Sequence, residues 1–120
     1  MGWGAEFDRC KPWIEAALAY AGGTHTVDDV AHGIAEHRMQ FWPAERGCLV
    51  TEVLVFPRKT VLNVFLAGGE LGQLLDMRGD VIAWAKSMGC TGAYMTGRKG
   101  WERAMPGWSY LGTALEMGFD

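Results

Sequence analysis

The chain has 120 residues, 49% of them hydrophobic, enough to bury one core without disulfide or metal staples. A net charge of −3, with no lysine- or arginine-rich stripe, argues against an electrostatic nucleic-acid binder. No run approaches the ~20 apolar residues needed to span a membrane, and the opening MGWGAEFDRCK lacks the basic-then-apolar pattern of a signal peptide, so a cytoplasmic protein without membrane contact is expected.

Residues 8–21, DRCKPWIEAALAYA, carry a helical pattern, with Asp8 as cap, Pro12 in the first turn and Trp13, Ala17 and Tyr20 on one stripe. Gly22-Gly23 end it. A second helix is expected from Thr26, whose hydroxyl can cap the amide near Asp29, with Val27, Val30, Ala31 and Ile34 as its apolar face. The character then changes. MQFWP (39–43) predicts a short edge strand closed by Pro43. CLVTEVLVF (48–56) and VLNVFLA (61–67), joined by PRKT, predict an antiparallel hairpin. Strands this apolar on both sides are covered on both faces, which implies a layered α/β sheet.

Residues 70–89 predict one helix, with Leu71, Leu74, Leu75, Val81, Ile82, Ala85 and Met88 at helical spacing, Gly79 inside it and Gly89 at its end. CTGAYMT (90–96) predicts a strand parallel to 61–67, reached by a crossover. Residues 97–105 predict a short helix and 108–119 a final strand or hairpin. No repeat or linker interrupts the chain, so residues 1–120 form a single domain on this reading.

Cys10, Cys48 and Cys90 are odd in number, far apart and without a C-x-x-C pair, which suits free thiols in a reducing compartment. His25, His32 and His37 have no metal-ligand spacing, and no metal is expected. Six tryptophans in so short a chain, with Trp42, Trp108 and Phe41 near the expected sheet edges, predict a subunit or partner contact. Arg98, Lys99, Trp101 and Arg103 form the one basic-aromatic cluster, either a grip for an acidic group or a solvated helix with Trp101 packed inward.

Two places invite chemistry. In FLAGGELGQLL (65–75), Gly68-Gly69 stand between a strand and a helix, where backbone N–H groups can hold a phosphate. The helical pattern resumes at Glu70, however, and a carboxylate there suits the helix dipole and opposes an anion. The turn reads better as a plain junction. Glu52 is the one carboxylate in an otherwise apolar strand. Burial would raise it toward general-base range; the favoured reading instead exposes it or pairs it with Arg58 or Lys59.

The segment AKSMGCTGAYMTGRKGWERAMPGW (85–108), through Ala85-Lys86, Gly89-Cys90 and Gly107-Trp108, together with the element order, resembles the GNAT (N-acetyltransferase) superfamily. Gly97, Arg98, Gly100 and Trp101 are similar to the G-R-x-G-W segment of small GNAT-like proteins of tailed bacteriophages. The resemblance implies an α/β (α+β) fold, a mixed central sheet flanked by helices on both faces. It also implies an acyl-CoA site at Ala67–Gly72, with Leu66, Gly68, Gly69, Leu71, Gly72 and Arg98 around the cofactor and Glu52 as base. This chain lacks the family's arginine or glutamine before the glycines. Trp101 stands where the family often has a proton-donating tyrosine, which leaves Tyr94 and Tyr110 as substitutes. The expectation is therefore a domain that keeps the fold and has lost efficient acyl-CoA chemistry. It would need no cofactor and would serve as a protein-binding or structural component, with a protein partner or as a homo-oligomer. By the resemblance it would be phage-encoded, in the host cytoplasm or the virion. The alternative is an active acyl-CoA-dependent N-acyltransferase using acetyl-CoA.

Overall fold

The computed structural model describes residues 2–96, 107–112 and 115–119. Two helices come first, α1 (Gly4–Leu18) and α2 (Val27–Ala35). Three strands follow, β1 (Gln40–Ala44), β2 (Gly47–Val55) and β3 (Thr60–Gly69). Two short helices, α3 (Leu71–Asp76) and α4 (Arg78–Ser87), lead to β4 (Gly92–Met95).

Helix α1 starts at Gly4 rather than after Asp8, so Pro12 lies in its interior and not in its first turn. An interior proline costs about 3 kcal/mol. Here Phe7, Cys10 and Ile14, spaced three and four apart, are all buried and outweigh it, while Pro12 itself faces solvent. The buried stripe is thus 7-10-14 rather than 13-17-20, and Tyr20 lies beyond the helix, largely exposed. Arg9 fastens α1 to the β1–β2 turn by donating to the carbonyls of Ala44 at 2.7 Å and Glu45 at 2.9 Å.

Helix α2 begins as its sequence predicts. Thr26 Oγ1 accepts from the Asp29 amide at 3.2 Å and the Thr26 amide donates to the Asp29 carboxylate at 2.9 Å, a capping box. Its far end closes with the Arg38 amide on the Gly33 carbonyl and the His37 amide on the Ile34 carbonyl, a Schellman pattern that puts His37 at φ 61°. Helix α4 ends in the same way. The Cys90 amide bonds Ala85 O and the Gly89 amide bonds Lys86 O, with Gly89 at φ 88°, which is why Gly-Cys stops the helix and aims the chain into β4.

The four strands form one sheet in the order β1-β2-β3-β4. β1 and β2 are antiparallel, as are β2 and β3, while β4 runs parallel to β3 from Val61–Gly92 to Val64–Met95. The predicted hairpin and the parallel crossover strand both form. One core lies between the sheet and α1–α2, around Phe7, Ile14, Val30, Val50 and Leu66. The other lies between the sheet and α3–α4, around Leu49, Leu62, Val64, Leu74 and Val81. The fold is therefore the mixed α/β sheet with helices on both faces that the residue pattern implies.

Three expectations change. The single helix over 70–89 is two helices that meet at Met77, which ends one and begins the other; Gly72 and Gly79, each about 1 kcal/mol poorer than alanine in a helix interior, flank the break. No strand forms among the described residues of 108–119. Trp108 packs onto the α3–α4 core there, while Leu111, Leu115, Met117 and Phe119 are exposed. The five described tryptophans sit partly buried against one core or the other instead of forming an apolar outer patch. The helix expected over 97–105 lies outside the described residues. Among the described residues no helix is long and apolar enough to cross a membrane.

Candidate functional site

The place where β3 and β4 part company sets the geometry. Their ladder ends at Val64–Met95, yet β3 runs on to Gly69. At this point a bulge also shifts the β2–β3 register, since Val50 opposes Leu66 while Thr51 opposes Val64. Phe65 is the extra residue. A bulge bends its strand and adds twist, and both Phe65 and Leu66 consequently turn toward the α1–α2 side. Beyond Val64, the β3 edge that faced β4 has no ladder partner among the described residues. A cavity of about 360 Å³ opens there, lined by Ala17, Tyr20 and Thr24 from the helix side and by Asn63, Phe65 and Met95 from the strands. His25 rests on Phe65 with ring centroids 4.6 Å apart, and its Nδ1 lies 2.7 Å from Thr24 Oγ1. Sequence spacing gives no hint of that stacking, because the bulge that presents Phe65 is a property of the β2–β3 register.

Glu52 stands on β2 directly across from Asn63, half buried. Its Oε1 accepts from Asn63 Nδ2 at 3.0 Å. The expected pairing with Arg58 or Lys59 is replaced by this cross-strand bond, because the register puts Asn63 opposite Glu52 and leaves Arg58 and Lys59 in the turn. Lys59 lies over Tyr94 instead, 5.1 Å from the ring centroid. Asn63 thus joins Glu52 to the wall of the cavity.

The glycine turn is built differently from a phosphate cradle. A side chain at Gly68 would start 2.8 Å from the carbonyl oxygen of Trp13, so this glycine lets β3 lie against the α1 backbone. Gly69, at φ 99°, would bring a Cβ within 2.3 Å of both Arg46 O and Gly47 Cα. The pair is consumed by close approach of chain to chain. The Glu70 amide, which a phosphate would need, already donates to Arg46 O at 2.8 Å. The Glu70 carboxylate caps no amide of α3. It meets Arg46 Nε at 2.7 Å, and the Arg46 amide donates to Gln73 Oε1 at 3.0 Å. Arg46 and Gln73 are the residues that sequence reading missed here. The pairing of Gly47 with Gly69, which sets Arg46 beside Glu70, depends on the β2–β3 register and its bulge, so the residue pattern carries no signal for it.

The remaining proposed cofactor contacts scatter. The Leu66 side chain is buried in the α1–α2 core, Leu71 and Gly72 are exposed on α3, and Arg98 lies outside the described residues. The strand end of the turn is therefore closed by its own chain, with the Glu70 amide already bonded to Arg46 O and the glycines packed against Trp13 and Gly47.

Sequence distance also hid a contact between thiols. Cys10 of α1 and Cys48 of β2 are both free and buried in the same core. Burial, then the neighbouring Cys10, pushes Cys48 up to about 12. Cys90 is a buried core residue at the α4–β4 junction, as expected, and burial raises its pKa as well.

No protein-family model matches the chain, and no curated protein matches its sequence. Solved structures do match its shape. A GNAT family acetyltransferase of Staphylococcus aureus superposes with a TM-score of 0.61 over 97% of this chain and 93% of its own, at 9% identity. A Trypanosoma brucei acetyltransferase gives a TM-score of 0.57 over 78% of this chain and 77% of its own, at 11% identity. The fold is thus similar to that of GNAT acetyltransferases, and at such identities the likeness extends to the fold alone.

Proposed function

We propose that this chain is a GNAT-fold domain that does not use acyl-CoA and acts as a protein-binding component. One observation carries the reading: the Glu70 amide is committed to Arg46 O, and Gly68 and Gly69 are pressed against Trp13, Arg46 and Gly47, so the strand end of the turn leaves no open cradle for a diphosphate. The binding surface is the exposed apolar segment with Leu111, Leu115, Met117 and Phe119, the last 92% exposed. Several such side chains close together in sequence are characteristic of a contact surface. The occupant we propose is a second copy of the chain. A phage origin, with a place in the host cytoplasm or the virion, belongs to this reading through the resemblance of GRKGW alone. Sedimentation over a range of concentrations tests it. The wild type is expected to associate as concentration rises, and Leu115→Ser with Phe119→Ser to remain monomeric. A wild type that stays monomeric throughout contradicts the reading.

The cavity at the β3–β4 parting, with Glu52 bonded to Asn63 at its wall, favours a second reading: an acyl-CoA-dependent N-acyltransferase with Glu52 as base. That reading predicts thiol release from acetyl-CoA in the presence of a primary amine, lost in Glu52→Gln. Absence of thiol release across a panel of amines removes it.

A further inference from the structure

On the opposite face of the sheet, under α4, lies a second cavity of about 340 Å³, within the range that takes small ligands. Its walls are apolar, with Leu62 and Val64 of β3, Leu74 of α3, and Val81 and Ala85 of α4. Trp108 closes one side, and Gly107 brings the chain so near that a side chain there would start 3.0 Å from Arg78 Nη2. Two cations stand on the lining, Arg78 at the start of α4 and Lys86 in its last turn. Residues 78, 82 and 86 follow one another at four-residue spacing, so all three share a helix face. Neither cation has an ion-pair partner within 4 Å among the described residues.

An apolar cavity edged by cations suits an amphipathic anion. The two charges are eight residues apart, or about 12 Å along the helix, too far to converge on one dianionic phosphate. Each can meet a monoanion. Arg78 is the better site for it, because a guanidinium fork matches the two oxygens of a carboxylate, and Gly107 holds the neighbouring chain close to it.

We propose that this cavity binds a medium-chain aliphatic carboxylate, with its carboxylate on Arg78 and its chain among Leu62, Val64, Leu74 and Val81. The site is separate from the glycine turn and independent of any use of acyl-CoA. Burial of each added methylene strengthens binding about fourfold until the cavity is full.

The test is a titration of hexanoate, octanoate and decanoate into the wild-type chain, followed through the methyl NMR signals of leucine, isoleucine and valine. The methyls of Leu62, Val64, Leu74 and Val81 are expected to shift and saturate, with affinity rising about fourfold per methylene over the series. Arg78→Gln, an exposed position, is expected to weaken decanoate about tenfold and to leave decanol unchanged. The proposal is overturned by no saturable shift at any chain length, or by shifts confined to Ile14 and Val30 on the other face. Equal decanoate affinity in Arg78→Gln and wild type also overturns it.

Discussion

Arg46 and Glu70, 24 residues apart, meet at 2.7 Å across the end of the β2–β3 hairpin, and their backbones are joined by the Glu70 amide on the Arg46 carbonyl at 2.8 Å. The backbone bond and the glycine beside it hold this junction; the ion pair adds little. Both side chains are more than half exposed, and exposed pairs contribute 0–1 kcal/mol as a rule. Glu70→Gln is therefore expected to cost less than about 1 kcal/mol. Gly69→Ala is expected to cost about 3 kcal/mol or more, from a side chain forced to φ 99° and a Cβ driven into Arg46 O and Gly47 Cα. Urea unfolding of the two variants checks the contrast, and near-equal losses would contradict it.

A buried relay fixes the β1–β2 pairing. Trp42 Nε1 donates to Thr51 Oγ1 at 3.0 Å, and the Thr51 hydroxyl donates to Gln40 Oε1 at 2.9 Å, with Thr51 0% exposed. Thr51→Val keeps the shape and removes both bonds, leaving an indole N–H and an amide oxygen without partners. The expected cost is about 1–3 kcal/mol, with a shift of the Trp42 indole N–H signal. Unchanged stability would show that water replaces the hydroxyl.

His37 occupies a position that suits glycine. At φ 61° its Cβ is strained, and no ring contact or hydrogen bond of its side chain offsets this among the described residues. His37→Gly is expected to stabilise the fold by about 0.5–1 kcal/mol, since relief of strain exceeds the added freedom of the unfolded chain. A lowered melting temperature would contradict this.

The thiol pair sets an alkaline limit. Cys48 is held near 12 in the folded chain against an ordinary value of 9.0, so the folded state binds its proton more tightly than the unfolded state. Its contribution is fully present below pH 9.0 and is lost as pH rises toward about 12. Stability measured across that interval is expected to fall, and to fall less steeply in Cys48→Ala. Identical slopes would place the alkaline transition elsewhere.

Much of the fold is legible in the residues because local chemistry and tertiary packing agree. Thr26 and Asp29 cap a helix that packing also wants, and the β-branched runs on either side of PRKT pair as their pattern demands. Where they disagree, packing wins. Phe7, Cys10 and Ile14 carry α1 straight through Pro12, although the proline marks a first turn locally. The site was less legible because it depends on register. A shift of one residue at Val50/Thr51 decides that Phe65 faces α1, and the pairing of Gly47 with Gly69 decides that Arg46 closes the turn. Glu52 is legible as the lone strand carboxylate, yet its partner Asn63 follows only from the strand alignment.

The central claim is that the turn at Gly68-Gly69-Glu70 cannot hold a diphosphate, and calorimetric titration of acetyl-CoA into the wild type and Glu70→Gln tests it most directly. The Glu70 amide is committed to Arg46 O, and the glycines are pressed against Trp13 and Gly47, so removing the carboxylate frees no donor. Both proteins are therefore predicted to bind no tighter than millimolar, about 4 kcal/mol short of a micromolar site. Micromolar binding by the wild type would contradict the account and restore the acyltransferase. Micromolar binding by Glu70→Gln alone would show that charge, and not the closed backbone, excludes the cofactor.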